Sequence, residues 1–204
     1  MGDFVSKIEE AVAVLRQGGV IVFPTETAYG FGADATNERA VERLMAIKGR
    51  EGWKTPPLIA ADREMVERCV SLSAMFRDLA DRFWPGPLTL VVPVFGKADL
   101  ENGRSFGWAK GVVRDGTVAI RVSSHPTAQE LSRRLGVPIV ATSANVAGQP
   151  TCWNVLSVQR QFVSRLLQPD FYLDDGPLPV RAPSTVVAEQ NGHLAVLRPG
   201  SIIV

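Results

Sequence analysis

Three apolar runs in this chain pass straight into polar motifs. VIVF at 20–23 leads into PTETAYG at 24–30, VAIRV at 118–122 into SSHP at 123–126, and PIVAT at 138–142 into SAN at 143–145. In open α/β sheets, ligands sit outside the carboxyl ends of strands, where loops converge over a rigid platform. Hydroxyls and amides placed there suit a small polar ligand. Guanidinium and ammonium groups suit a carboxylate or phosphates, and Lys48, Arg50, Lys54, Arg121, Arg181 and Arg198 supply them. The chemistry indicated is recognition of a small anionic ligand with phosphates in one polar, cationic pocket.

Each motif also has a plainer structural reading. Pro and Thr are common in turns, so PTET fits the start of the next element as well as it fits a binding loop. Lys48, Arg50 and Lys54 fit a solvated helix terminus, because cations are favoured at helix C-ends. Ser143 and Asn145 fit an N-cap and turn. Ser184 and Thr185 fit a strand surface, and Arg198 fits a charge on the last strand. His125 before Pro126 reads as a turn or cap residue, and Cys69 on an apolar helix face reads as core. Arg121 differs: inside a short apolar strand, a lone arginine needs an anionic partner or an exposed face.

The elements that position these residues follow from periodicity. Ile8, Ala11, Val12 and Leu15 share one helical face over 4–17, which Gly18-Gly19 stop. Thr36 can N-cap a helix to about Ile47. A polar loop, KGREGWKTPP, precedes a short apolar run, LIAA. Asp62 and Ser73 cap helices over 62–69 and 73–83, and 88–94 is a strand. The segment 95–116 is glycine-rich and aperiodic, long enough to be either mobile or functional. Strand 118–122, a helix over 126–135 closed by Gly136, and strand 138–142 follow. A helix over 154–167 would use the stripe Leu156, Phe162, Val163 and Leu166. The end is a hairpin about Asn191-Gly192, a strong type I′ signal. Alternating strands and helices with a late hairpin predict an α/β fold. We expect a single domain over 1–204, a twisted, mixed parallel and antiparallel open sheet with helices packed on it.

A chain of 204 residues fits one such domain. No run approaches the roughly 18–20 apolar residues of a membrane span. The N-terminal MGDFVSKIEEAVAVLRQGG reads as an amphipathic helix, not a signal peptide. The cysteines, Cys69 and Cys152, lie far apart and outside metal-ligand spacing, which points to a reducing compartment, the cytoplasm. His125 and His193 are the only histidines, so no zinc site is expected. A net charge of +1 gives no general pull towards nucleic acid. The absence of Gly-x-x-x-x-Gly-Lys-Ser/Thr excludes ordinary P-loop phosphate binding, and YGFGAD fails the dinucleotide fingerprint. Ser143 lacks a G-x-S-x-G setting, which counts against a hydrolase nucleophile.

Taken together and in order, seven motifs carry a family resemblance. They are PTETAYGFGADA at 24–35, AIKGR at 46–50, WPGPLTLV at 84–91, VAIRVSSHP at 118–126, VATSANVAGQPT at 140–151, PSTVV at 183–187 and LRPGSI at 197–202. The chain resembles the YrdC family, the TsaC-type threonylcarbamoyl-AMP synthases, in their short form. The resemblance implies an enzyme that joins L-threonine, bicarbonate and ATP, with Mg²⁺ on the triphosphate, into threonylcarbamoyl-adenylate and pyrophosphate. Threonylcarbamoyl-transferase proteins then pass the group to adenosine 37 of tRNA. By matching positions it implies Thr27 and Ser184 on threonine's polar groups and Arg121 on its carboxylate. Lys48, Arg50, Lys54, Thr117, Ser143, Asn145, Thr151 and Arg198 would surround ATP. Lys48, Arg50 and Arg121 would be the cations acting on the reaction, with no metal ligand from the protein. The glycines of YGFG would let backbone pass close to ligand, and Glu26 would orient either a neighbouring cation or the metal.

The pattern departs from the family at Lys54, where many relatives carry Asn, and at Ile59, where many carry histidine. It departs again at Ala188, where aspartate is common, and in the longer 95–116 segment. Two other readings stand beside the synthase: a module with weak tRNA or double-stranded RNA binding, and a paralogue that binds ATP or a carbamoyl-adenylate without making it.

Overall fold

The stripe Ile8, Ala11, Val12 and Leu15 is buried on helix α1 (Gly2–Arg16) in a computed structural model that describes residues 2–49 and 56–204. Strand β1 (Ile21–Pro24) turns through Thr25–Ala28 into β2 (Tyr29–Asp34), with Pro24 paired to Tyr29. PTETAY is therefore a hairpin, and YGFGAD, which periodicity assigned to no element, is a sheet strand. Glycine is depleted in strands, so its presence hides this one from propensity arguments. The structure gives Gly32 a packing reason. A Cβ there would meet the Phe23 ring at 2.9 Å and Ile21 at 3.1 Å. Gly32 thus makes room for a neighbouring ring, not for ligand.

Helix α2 (Glu38–Lys48) is capped by Asn37, whose Oδ1 accepts the Ala40 N–H at 3.1 Å, not by Thr36. The Thr36 hydroxyl is diverted into donating to Asp34 Oδ1 at 2.6 Å. Strand β3 (Leu58–Ala60) follows, then α3 (Arg63–Cys69) and α4 (Ala74–Phe83), capped by Asp62 and Ser73 as expected. Beyond β4 (Leu88–Pro93), the segment read as a loop holds α5 (Lys97–Glu101) and a 3₁₀ turn, Lys110–Val112. Ala109 and Val112 are buried in the core there, so this segment is anchored. Strand β5 (Thr117–Val122), α6 (Pro126–Leu135) and β6 (Ile139–Ser143) match expectation, and Gly136 closes α6 with φ +89°. Helix α7 (Val155–Phe162) is shorter than the 154–167 expected. It buries Val155, Val158 and Phe162, whereas Leu156, Val163 and Leu166 are exposed. Strand β7 (Phe171–Tyr172) escaped the sequence reading, and β8 (Thr185–Gln190) and β9 (His193–Arg198) form the late hairpin.

These nine strands make one mixed sheet in the order β7–β1–β2–β6–β3–β5–β4–β8–β9. Pairs β1–β7, β3–β5 and β4–β8 are parallel, and the other neighbours antiparallel. Alternation along each strand sends Tyr29, Phe31, Leu58, Leu90, Val118, Ile120, Val122, Val140 and Val187 into the larger core cluster. On the opposite face, Ile21, Phe23, Ile59, Ile139 and Ala141 pack with Ile8, Leu15, Ala128 and Leu131 of α1 and α6. Those two helices cover only part of that face.

Gly32→Ala is expected to lower unfolding free energy by about 1–3 kcal/mol, the usual range for forcing a group into a packed site. Denaturant midpoints measure it; an unchanged midpoint would show that the Phe23 ring yields without cost.

Candidate functional site

The part of the sheet that α1 and α6 leave uncovered carries small or polar side chains. Gly30, Thr89, Ala119, Ala141 and Val186 line a cavity of about 550 Å³. Arg121 shares a strand with Ala119, two residues on, and so projects to the same face. The walls come from the β1–β2 turn (Thr25, Thr27), the end of α2 (Lys48), the end of β6 (Ser143), Thr151 and Trp153, and the loop 181–184 with Arg198. Lys48, Arg121, Arg181 and Arg198 line it, and among the described residues no carboxylate does. Such a cavity favours an anion.

At the turn, the chain builds its own scaffold. The buried Thr25 hydroxyl donates to Ala28 O at 2.7 Å and lies 3.1 Å from the Thr27 hydroxyl. Trp153 Nε1 donates to Thr27 O at 3.1 Å, which ties the turn to the opposite wall. Between the two threonines, Glu26 turns inward. Arg121 Nε donates to its Oε1 at 2.9 Å, with both side chains 4% exposed. The Ser123 hydroxyl donates to its Oε2, and Ser123 Oγ also accepts the His125 N–H at 3.1 Å. Burial pushes the Glu26 pKa up, but the Arg121 guanidinium and the Ser123 hydroxyl outweigh it and hold the carboxyl below its ordinary 4.5.

Lys48 ends α2 yet is 4% exposed. Its Nζ donates to Ser143 O at 2.5 Å and to Ser143 Oγ, Asn145 O and Asn145 Oδ1 at 3.2 Å each. Asn145 is held in turn through Nδ2, which donates to Val146 O and Gln149 O. Across the cavity, Arg198 donates from Nε and Nη2 to Ser184 O at 3.1 and 2.7 Å, and from Nη2 to Ser184 Oγ at 2.9 Å. Ser184 Oγ also lies 2.9 Å from Thr89 Oγ1. The Tyr29 hydroxyl donates to Gly176 O at 2.7 Å and pins the 174–176 segment that leads into this wall. Burial, with Asp174 and Asp175 nearby, pushes its pKa up to about 12, so it remains a donor.

Of the expected site residues, Thr27, Lys48, Arg121, Ser143, Thr151, Ser184 and Arg198 come together at the cavity. Asn145 stands behind Lys48 and orients it instead of lining the space. Thr117 is not brought there. It opens β5 four residues before Arg121, about 13 Å along an extended strand, and its hydroxyl donates to Arg114 O at 2.8 Å. Arg50 and Lys54 lie outside the described residues. Ile59, at the position where many relatives carry histidine, is fully buried beneath α1 and α6 and absent from the lining. Sequence reasoning missed Thr25, Thr89 and Trp153 as lining residues, since each sits in an apolar or turn context with no distinguishing spacing. Arg181 had a signal, a cation between apolar residues and proline, but no partner motif to place it.

Residues 13–200 match the family model of the Sua5, YciO and YrdC proteins, described as "Telomere recombination". The chain belongs to that family. It is 38% identical over 165 residues to the threonylcarbamoyl-AMP synthase of Vibrio vulnificus, covering 79% of this chain and 84% of the relative. A Bacillus subtilis relative of the same name is 37% identical over 197 residues, 96% of this chain but 54% of that protein. Among solved structures, P. abyssi Sua5 complexed with L-threonine superposes with a TM-score of 0.81 at 33% identity, over 95% of this chain and 54% of that one. The chain therefore spans about half the length of these last two relatives.

The Glu26–Arg121 pair gives the acid limb of stability a direction. A carboxyl held below its ordinary value in the fold contributes stability that is complete above that value and lost as pH falls through the folded one. Between pH ~5 and ~3, the stability of Glu26→Gln is expected to fall less steeply than that of the unsubstituted protein. Denaturant unfolding at stepped pH reads this; parallel limbs would remove Glu26 from the explanation.

Proposed function

We propose that the cavity binds L-threonine and ATP side by side and that the chain is a threonylcarbamoyl-AMP synthase. The observation that carries this reading is a walled cavity that, among the described residues, is lined by four cations and no carboxylate, in a chain whose curated relatives bear that name. Arg121 takes the threonine carboxylate, where a planar guanidinium can bond both oxygens. Thr27 and Ser184 take its remaining polar groups. Lys48, Ser143, Thr151 and Arg198 face ATP, with Arg50 and Lys54 assigned to it from sequence, and Asn145 supports Lys48 from behind.

The reaction needs little covalent help from the protein. Threonine's nitrogen gains a carboxylate from bicarbonate, with loss of water. An oxygen of that carbamate attacks the α-phosphorus of ATP, and the bond to the β-phosphate breaks to release pyrophosphate. Such chemistry depends on alignment and on cations placed where negative charge spreads. Lys48 and Arg198, which both line the cavity, are suited to that charge. Mg²⁺ arrives with the nucleotide. Among the described residues no carboxylate lines the cavity to hold it, and the ion would help neutralise the charge on the phosphates. The adenylate passes to threonylcarbamoyl-transferase proteins that modify tRNA, and on this reading the protein works in the cytoplasm with them. Weak tRNA contact during transfer fits the exposed Arg181 and Arg198 at the cavity mouth.

Incubation with ATP, Mg²⁺, bicarbonate and single amino acids is expected to release pyrophosphate only with threonine. No threonine-dependent release, under conditions where a family relative works, would sink the synthase reading. Arg121→Lys keeps the charge but loses the bidentate fork. It is expected to raise KM for threonine about tenfold or more while moving KM for ATP little. Arg198→Ala is expected to act mainly on KM for ATP. Steady-state pyrophosphate release measures both, and the reverse pattern would exchange the two assignments.

A further inference from the structure

The turn between β1 and β2 puts two threonines at the cavity and one carboxylate beneath it. Thr25 and Thr27 line the space, whereas Glu26 points under the turn to strand β5, 95 residues away in sequence. Its two oxygens are divided. Oε1 takes the Arg121 Nε–H at 2.9 Å, and Oε2 takes the Ser123 hydroxyl from the end of the same strand. Nε is the guanidinium nitrogen nearest the stem, so this bond fixes the plane of the group without using its fork. Among the described residues, neither terminal nitrogen of Arg121 donates to protein, and Arg121 lines the cavity.

We propose that Glu26 and Ser123 are positioning residues that set the orientation of Arg121 and the height of Thr27, and so determine how firmly an amino-acid carboxylate is held. This rests on the reading of Arg121 as the threonine carboxylate's partner. Glu26 touches neither substrate. It keeps Nη1 and Nη2 pointing into the cavity before ligand arrives, and the same carboxylate ties down the turn that carries Thr27. One residue therefore registers both walls of the amino-acid end against each other, while Lys48 and Arg198 are held by separate bonds. Preorganisation of this kind lowers the ordering cost of binding. The arginine stem has several rotamers to lose, and without Glu26 each binding event would restrict them anew.

The test separates position from fold. Glu26→Gln keeps an acceptor for Nε but removes the charge, and Ser123→Ala frees Oε2. Both are expected to raise KM for threonine about tenfold or more, the equivalent of one charge-assisted bond, with KM for ATP changed less than twofold. A variant that was only less stable would lose active enzyme, which lowers kcat and leaves both KM values alone. Nitrogen-15 spectra of arginine side chains give an independent readout. The Arg121 Nε–H signal, slow to exchange in the unsubstituted protein, is expected to move and to exchange faster in Glu26→Gln. The double variant Glu26→Gln/Arg121→Met removes both buried charges, and its threonine KM is expected to equal that of Arg121→Met alone, because Glu26 acts through Arg121. If the unsubstituted protein turns over threonine but Glu26→Gln keeps its threonine KM, or the double variant shows additive losses, the positioning role is overturned while the synthase reading stands. If the unsubstituted protein shows no threonine-dependent turnover, both are overturned.

Discussion

An arginine of the sheet and a glutamate of the β1–β2 turn, each side chain 4% exposed, meet beside a patch lined mainly by alanine, threonine and glycine. Taking two such charges out of water costs several kcal/mol per ion before their attraction and hydrogen bonds repay it. Removing one partner alone is expected to cost roughly 3–5 kcal/mol, whereas apolar replacement of both is often neutral. Stability is therefore a weak account of why the pair exists. What the pair does achieve is geometric: it joins the β1–β2 turn to β5 and leaves the working end of a cation facing open space. The turn's other bonds, from Thr25 and Trp153, complete that rigidity.

The open space has its own cause. Helices α1 and α6 pack on β1, β6 and β3 through Ile21, Phe23, Ile59 and Ile139, and the cluster stops at Ala141. Beyond it, Ala119 and Gly30 carry too little side chain to fill the face, and Thr89 spends its hydroxyl on Ser184. The opposite face has no such interruption, because Leu90, Val118, Ile120 and Val187 are fully buried in its core. A complete core on one side supports an incomplete one on the other, and the incompleteness is the site. Small residues where packing would favour large ones are the sheet's concession to a ligand.

Much of this was legible in the sequence. Strands with alternating or continuous apolar runs, helices with Asp62 and Ser73 caps, and the Asn191-Gly192 turn were readable because local chemistry dictates them. The cation set was readable too, and Arg121 most clearly, since its apolar context demanded a partner. That the partner is Glu26 was not, because nothing local links residues 95 apart. Strand β2 was hidden by its glycines: Gly32 makes room for a ring on the adjacent strand, and Gly30 lines the cavity. Thr36 fits a cap in sequence but loses to Asn37 once Asp34 takes its hydroxyl. Thr117 matched a family position, yet the rise along β5 carries it away from the cavity. Each of these misses is a contact between elements overriding a sound local preference.

The pairing of Arg121 with Glu26 also shapes what kind of recognition the site can perform. A carboxylate approaching the terminal nitrogens is drawn by the guanidinium and repelled by Glu26 behind it. Because that repulsion acts across the width of the guanidinium, the attraction wins by less than it would for a bare cation. The energy of binding then comes mainly from two aligned hydrogen bonds, not from net charge. Aligned bonds reject ligands that place their oxygens wrongly, whereas net charge accepts any anion, including a stray phosphate of the nucleotide. On the reading of Arg121 as the carboxylate's partner, Glu26 tempers the charge there and favours an anion whose oxygens fit the fork over one that is merely negative.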